Sequence, residues 1–269
     1  MNSNIFKHEF KMRLRSVIIW SLSAVGVSLL YLPIFPSFAK DMALIQQTMD
    51  AFPPEFLAAF GMVDIDFASI MGFFTFVYLF VQILLAIQAA NYGVGLVSIE
   101  ERELTADFLM TKPVARVQIM NTKLAAALAG LALTQAVVWI SSFVLVNLFH
   151  GDSPVDNGKL LLMLAGLIVF QLFFLFVGLA ISLLVRRVRS VTPYGMGLGF
   201  GLYALSAFGD MLGESKLELL TPFKHFSGNY VVQNGRFDTL LVLISVVIIV
   251  VAAAASYWLY LRRDIPSVT

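Results

Sequence analysis

The chain contains no cysteine, which excludes disulfides, thiolate metal sites, iron–sulfur clusters and cysteine nucleophiles together. Charge is scarce as well: only 13% of its 269 residues are Asp, Glu, Lys or Arg, about half the share usual in soluble domains. The three histidines are dispersed at His8, His150 and His225, with no HExxH pair, and GxSxG is missing, so neither a zincin nor a serine-hydrolase site is written here. No GxxxxGK[ST] occurs either. The chain therefore has no phosphate-cradling loop of its own, and ATP can enter only through a partner. A net charge of +1 argues against a nucleic-acid partner.

Hydrophobic residues fill the space, at 59% of the chain, gathered into runs long enough to cross a bilayer core, which takes about 20 helical residues. The pattern predicts an all-α, polytopic membrane protein forming a single transmembrane domain over residues 1–269. Six spans are expected, at about 16–35, 68–98, 124–149, 160–185, 191–212 and 239–261. Residues 1–15 carry Lys7, Lys11, Arg13 and Arg15 with Phe6, Phe10 and Leu14 at four-residue spacing, the pattern of an amphipathic helix lying in the membrane interface. Residues 213–238 read as an external loop. A secretory signal is a weaker reading of the N-terminus, since the apolar run is longer than a usual signal core.

Lysine and arginine fall unevenly. With the N-terminus inside, thirteen of the 18 lie on the cytoplasmic side, and only Lys40, Lys159, Lys216, Lys224 and Arg236 lie opposite. Both termini are thus expected in the cytoplasm of a multi-pass plasma-membrane protein. Apart from Asp210, the polar residues within the spans are uncharged. Gln82, Gln88, Asn91, Gln135 and Gln171 must face other helices or a translocation path, because lipid cannot satisfy them. Phe76 and Phe80 are bundle filler by default, or the wall of a path for an apolar cargo. Asp210, near the end of the fifth span, is expected to be an interfacial or capping residue. Gly195/Gly199 and Gly197/Gly201 give GxxxG spacing for close helix packing.

Between the second and third spans, residues 99–116 hold Glu100-Glu101, Thr105, Leu109 and Pro113 to Arg116. This segment resembles the loop of ABC-2 exporter permeases, in which paired glutamates, a threonine and a Pro-x-x-Arg ending recur, although Leu104 stands where that family commonly has glycine. Thr221-Pro222-Phe223-Lys224-His225-Phe226 is similar to the Ser-Pro-Phe-x-Tyr-Phe stretch before that family's last helix. The resemblance implies a type V (ABC-2) exporter fold, working as a dimer with a second copy or a similar permease chain in membrane lipid. It also implies cytoplasmic ABC ATPase subunits that bind ATP and Mg, with no cofactor on this chain and no catalytic or metal-binding residue. The 99–116 segment would be a coupling helix, and Glu100, Glu101, Arg102, Glu103, Thr105, Asp107 and Phe108 the contacts to the ATPase. An apolar or amphipathic substrate (drug, peptide or lipid) would suit such a path. A solvated helix at the base of the bundle, in a carrier or scaffold outside the ABC class, is the alternative.

Overall fold

The computed structural model describes residues 3–49, 51–59, 62, 65–103, 115–185, 188–212 and 215–262. Among them every regular element is helical. Helix α1 runs over Ser3–Tyr31. The basic segment and the first apolar run are therefore one helix: no Pro or Gly interrupts residues 3–25, so nothing separates an interfacial helix from the span as the sequence reading had it. Pro33 and Pro36 then break the chain into a 3-10 turn, Leu32–Ile34, and short helices α2, Phe35–Lys40, α3, Met42–Met49, and α4, Pro54–Ala59, since proline lacks the amide hydrogen that helix continuation needs.

Helix α5, Ile70–Glu103, is 34 residues long, about 50 Å at 1.5 Å per residue, against a hydrocarbon core of about 30 Å. Then come α6, Arg116–Leu148, and α7, Asn157–Leu184. The latter starts where the Asp156 carboxylate accepts from the Gly158 and Lys159 amides, both at 3.0 Å, satisfying two of the helix's free donors. Helix α8 covers Thr192–Leu212, followed by three short helices, α9, Ser215–Glu218, α10, Pro222–His225, and α11, Gly228–Asn234. Gly235 ends α11 with φ 68°, a left-handed cap that glycine adopts without strain. The last helix, α12, is Thr239–Arg262.

Five segments are long and apolar enough to cross a membrane: Ser3–Lys40, Ile70–Ser98, Arg116–Leu148, Asn157–Leu184 and Thr239–Arg262. The expected fifth span exists as a helix, α8, yet falls outside this set. Its 21 residues are thinned by alternating glycines and by Asp210, so length is sufficient and apolar content is not.

α5 is the axis of the bundle, packed along α7, α8 and α1, while α1 also lies along α6 and α12 covers α7. Two glycines set the tightest crossing. A Cβ on Gly93 would fall 2.0 Å from the Leu175 carbonyl oxygen, and one on Gly178 2.8 Å from the Ala90 carbonyl oxygen, so only hydrogens fit between the backbones of α5 and α7. On α8, Gly195 and Gly199 lie against Asn91 and Ile87 of α5, whereas Gly197 and Gly201 have open space; half of the GxxxG reading is used within the chain. Leu22, Ile140, Leu240 and Val247 face outward, as side chains solvated by lipid do.

Residues 215–238 are not a free loop but a tucked segment. Phe223, Phe226 and Val231 are buried, Phe223 lies edge-on to Phe170 at 5.2 Å, and the Thr221 hydroxyl donates to the Leu202 carbonyl at 2.8 Å.

Candidate functional site

Three polar places interrupt the apolar bundle. The first is the end of α5 that carries Glu100, Glu101, Arg102 and Glu103. These residues continue the helix instead of starting a separate one: all four are helix formers, and no breaker lies between Ser98 and Glu103. The other contact residues expected from sequence, Thr105, Asp107 and Phe108, lie outside the described residues, as does the rest of 104–114.

Just inside this end is a charged clamp that the sequence reading had placed among the cytoplasmic charges. The Lys123 ammonium of α6 is buried and donates to the Leu96 carbonyl of α5 at 2.6 Å. It also lies 3.9 Å from the Glu9 carboxylate of α1. Glu9 in turn accepts from Arg13 at 3.2 Å, and the Arg13 guanidinium sits 5.3 Å from the Tyr92 ring centroid. Three helices are thus tied at one level. The i,i+4 spacing of Glu9 and Arg13 was the available signal, but the reach to Lys123 depends on tertiary packing.

The second place is a seam of uncharged groups at the middle of the bundle. The Gln88 amide donates to the Thr134 hydroxyl at 2.8 Å, and the Gln171 amide to the Gln88 oxygen at 3.4 Å, which joins α5, α6 and α7. Nearer the start of α5, Gln82 donates to the Phe226 carbonyl at 3.0 Å and Tyr78 to the Met163 carbonyl at 2.9 Å. Both amide atoms of Gln135 and the Asn91 side-chain oxygen are buried without a hydrogen-bond partner. Phe76 and Phe80 lie edge to face at 5.0 Å, with Tyr31 of α1 stacked on Phe80 at 5.7 Å. They fill the α1–α5 contact.

The third place is a cleft of about 150 Å³ at the opposite end from Glu103, between α5, α8 and the tucked segment. Thr75 and Gln82 line it from α5, Tyr203, Ser206 and Asp210 from α8, and Lys224 from α10. Of the residues expected on a path, Gln82 alone reaches it. Lys224 and Asp210 form an ion pair, with side chains 23% and 25% exposed. Next to it, the His225 ring is buried. Its Nε2 is 2.9 Å from the Glu218 carbonyl oxygen and its Nδ1 2.6 Å from the Ser245 hydroxyl. A carbonyl only accepts, so Nε2 carries the hydrogen and Nδ1 accepts from Ser245. Burial lowers the His225 pKa, partly offset by the Glu218 and Leu219 carbonyls and by the charge of Asp238. The ring is held neutral, binding the tucked segment to α12.

Such an arrangement holds helices together, with the Glu100–Glu103 helix end on one side and a polar cleft on the other. No curated protein matches the chain. The family described as ABC-2 family transporter protein, by contrast, matches residues 3–265. With apolar helices built to cross a membrane, a match over nearly the whole length and no ATP-binding loop in the sequence, the chain belongs to the ABC-2 family, as the membrane permease subunit of an ABC transporter.

Proposed function

We propose that the chain is the permease of an ATP-driven exporter in the plasma membrane, with both termini cytoplasmic, paired with a second copy or a similar chain and driven by two cytoplasmic ABC ATPases that bind ATP and Mg. In this reading α8 is a sixth span. Its 21 residues reach about 31 Å, enough for a bilayer core, and its glycine face rests on α5. The cargo is apolar or amphipathic.

One observation carries the reading: the acidic stretch Glu100–Glu103 is the end of the same unbroken helix that forms the buried axis of the bundle. A helix that runs unbroken over this length transmits a push at its end as a rigid-body shift. The clamp through Lys123, Glu9 and Arg13 hands that shift to α1 and α6. Glu100, Glu101, Arg102, Glu103, Thr105, Asp107 and Phe108 form the surface that meets the ATPase.

Co-purification tests this. An ATPase should accompany the tagged chain, and the double charge reversal Glu101→Arg with Arg102→Glu should lower its transport-coupled hydrolysis at least tenfold while leaving the permease folded. Full coupling in the double variant would reject the assigned contact surface. Absence of any ATPase, with solute moved by the purified chain alone, would favour a carrier of another class.

A further inference from the structure

We propose that the cleft between α5, α8 and the tucked segment binds a zwitterionic group, with its cationic amine on Asp210 and its anionic phosphate or carboxylate on Lys224. The claim that such a ligand is cargo rests on the permease reading; the binding itself does not.

Asp210 lies in the last turn of α8, which ends at Leu212. A carboxylate there faces the negative end of the helix dipole, where a cation is the stabilising choice. A cap is therefore the wrong description: acids cap the N-terminal ends of helices, as Asp156 does on α7. The helix dipole does not explain Asp210, whose partner is the Lys224 ammonium of α10, and a charged group near the end of a helix read as a span is a functional candidate.

Its ion pair with Lys224 lies in the wall of the cleft, and both side chains retain about a quarter of their exposure. The pair is thus desolvated enough to make its charges strong and open enough to exchange partners. Among the described residues one acid and one base face the cleft, so a ligand of either net charge meets repulsion as well as attraction. A neutral zwitterion replaces both halves of the pair at once. The Ser206 hydroxyl lines the cleft as well, while Leu79 and Phe223 leave part of the wall apolar. The same chemistry occurs in an ethanolamine phospholipid headgroup and in a free amino acid.

Native mass spectrometry of the full-length chain separates these sources. Phosphatidylethanolamine and phosphatidylglycerol are offered at equal mole fraction in mixed micelles, with leucine titrated in parallel. The expected result is at least fivefold preferential retention of phosphatidylethanolamine, which assigns the lipid source, or saturable leucine binding that displaces it, which assigns the soluble one. In Asp210→Asn and Lys224→Met the retention should fall about tenfold. Because a lone charge left in the cleft can unfold either variant, the double variant Asp210→Asn with Lys224→Gln is decisive: it leaves no unpaired charge, keeps the thermal midpoint and should lose the preference. Equal retention of both lipids with no leucine binding, or a preference unchanged in the folded double variant, overturns the proposal. No ATPase is present in this experiment, so its failure leaves the permease reading to stand or fall on co-purification.

Discussion

α5 and α12 are both apolar enough to span a bilayer, yet the most apolar stretch of α5 is 83% buried within the bundle and that of α12 only 17%. Hydropathy cannot tell them apart, because lipid and protein interior are equally apolar solvents. What differs is backbone access and polar linkage. α5 has Gly93 at a backbone crossing and Tyr78, Gln82 and Gln88 bonded to other elements. α12 has no glycine, and its Ser256 hydroxyl bonds back to its own helix at Ala252. Its links across include Ser245 to His225 and Tyr257 to Asn121. In this membrane fold the centre is marked by small residues and carboxamides, and the periphery by their rarity.

The sharpest test of this contrast adds bulk to each helix. Gly93→Leu drives a side chain into the Leu175 carbonyl and should destabilise the chain by about 3 kcal/mol or more, seen as loss of the monodisperse peak in detergent. Val251→Leu on the lipid-facing side of α12, where Val251 is 60% exposed, should stay within about 0.5 kcal/mol. Similar effects at both sites would break the comparison.

The next compares two cations. Lys123 donates to α5 from a buried position, so Lys123→Met leaves Glu9 short of a partner and should cost about 3 kcal/mol in thermal or denaturant unfolding. Arg262, stacked at 4.4 Å over Trp258 of the same helix and exposed, should lose no more than about 1 kcal/mol on change to Gln. An equal loss from both would remove the clamp from the account.

A smaller effect concerns the tie that anchors α12. His225 is held neutral, with its pKa below the ordinary value of about 6.5. The unfolded chain therefore binds a proton first as pH falls. Stability should be full above about 6.5 and decline below it toward the folded pKa, by at most about 1.4 kcal/mol per pH unit. Unfolding midpoints of wild type and His225→Gln between pH 7.5 and 5 report this. The variant should lack that part of the slope, and parallel curves would contradict the assignment.

Much of this fold is legible in the sequence, because a run of apolar residues about 20 long has few other uses. The ends of α7, α8 and α12 fall within a few residues of the expected spans. The start of α6 does not: Lys123 looks like a boundary charge until its bond to Leu96 takes it inside, and the helix begins at Arg116. Residues 213–238 read as a loop because their polar residues are many. Their partners, Ser245 for His225 and Gln82 for the Phe226 carbonyl, are distant in sequence and invisible to local pattern. GxxxG spacing pointed to Gly195 and Gly199, whereas Gly93 and Gly178 belong only to the weaker small-xxx-small pairs Ala89/Gly93 and Gly178/Ser182. Of the candidate site, the glutamines were recognisable from the expense of polar groups in lipid, and Gln88 and Gln171 proved to bond each other. Asp210 was legible as a residue near a helix end, as it is, but its partner Lys224 emerges only from the fold.

The central claim, that α5 is one rigid rod from the cleft to its acidic end, has a direct measurement. A chain without cysteine accepts two spin labels cleanly, at Leu79→Cys and Glu103→Cys, about 36 Å apart along a continuous helix. Electron–electron distance measurements on the complex with its ATPase should give that same narrow distance without nucleotide and with ATP trapped. A separation that shortens or broadens by several ångströms on ATP binding would mean that α5 bends, and that force entering at Glu103 never reaches the bundle.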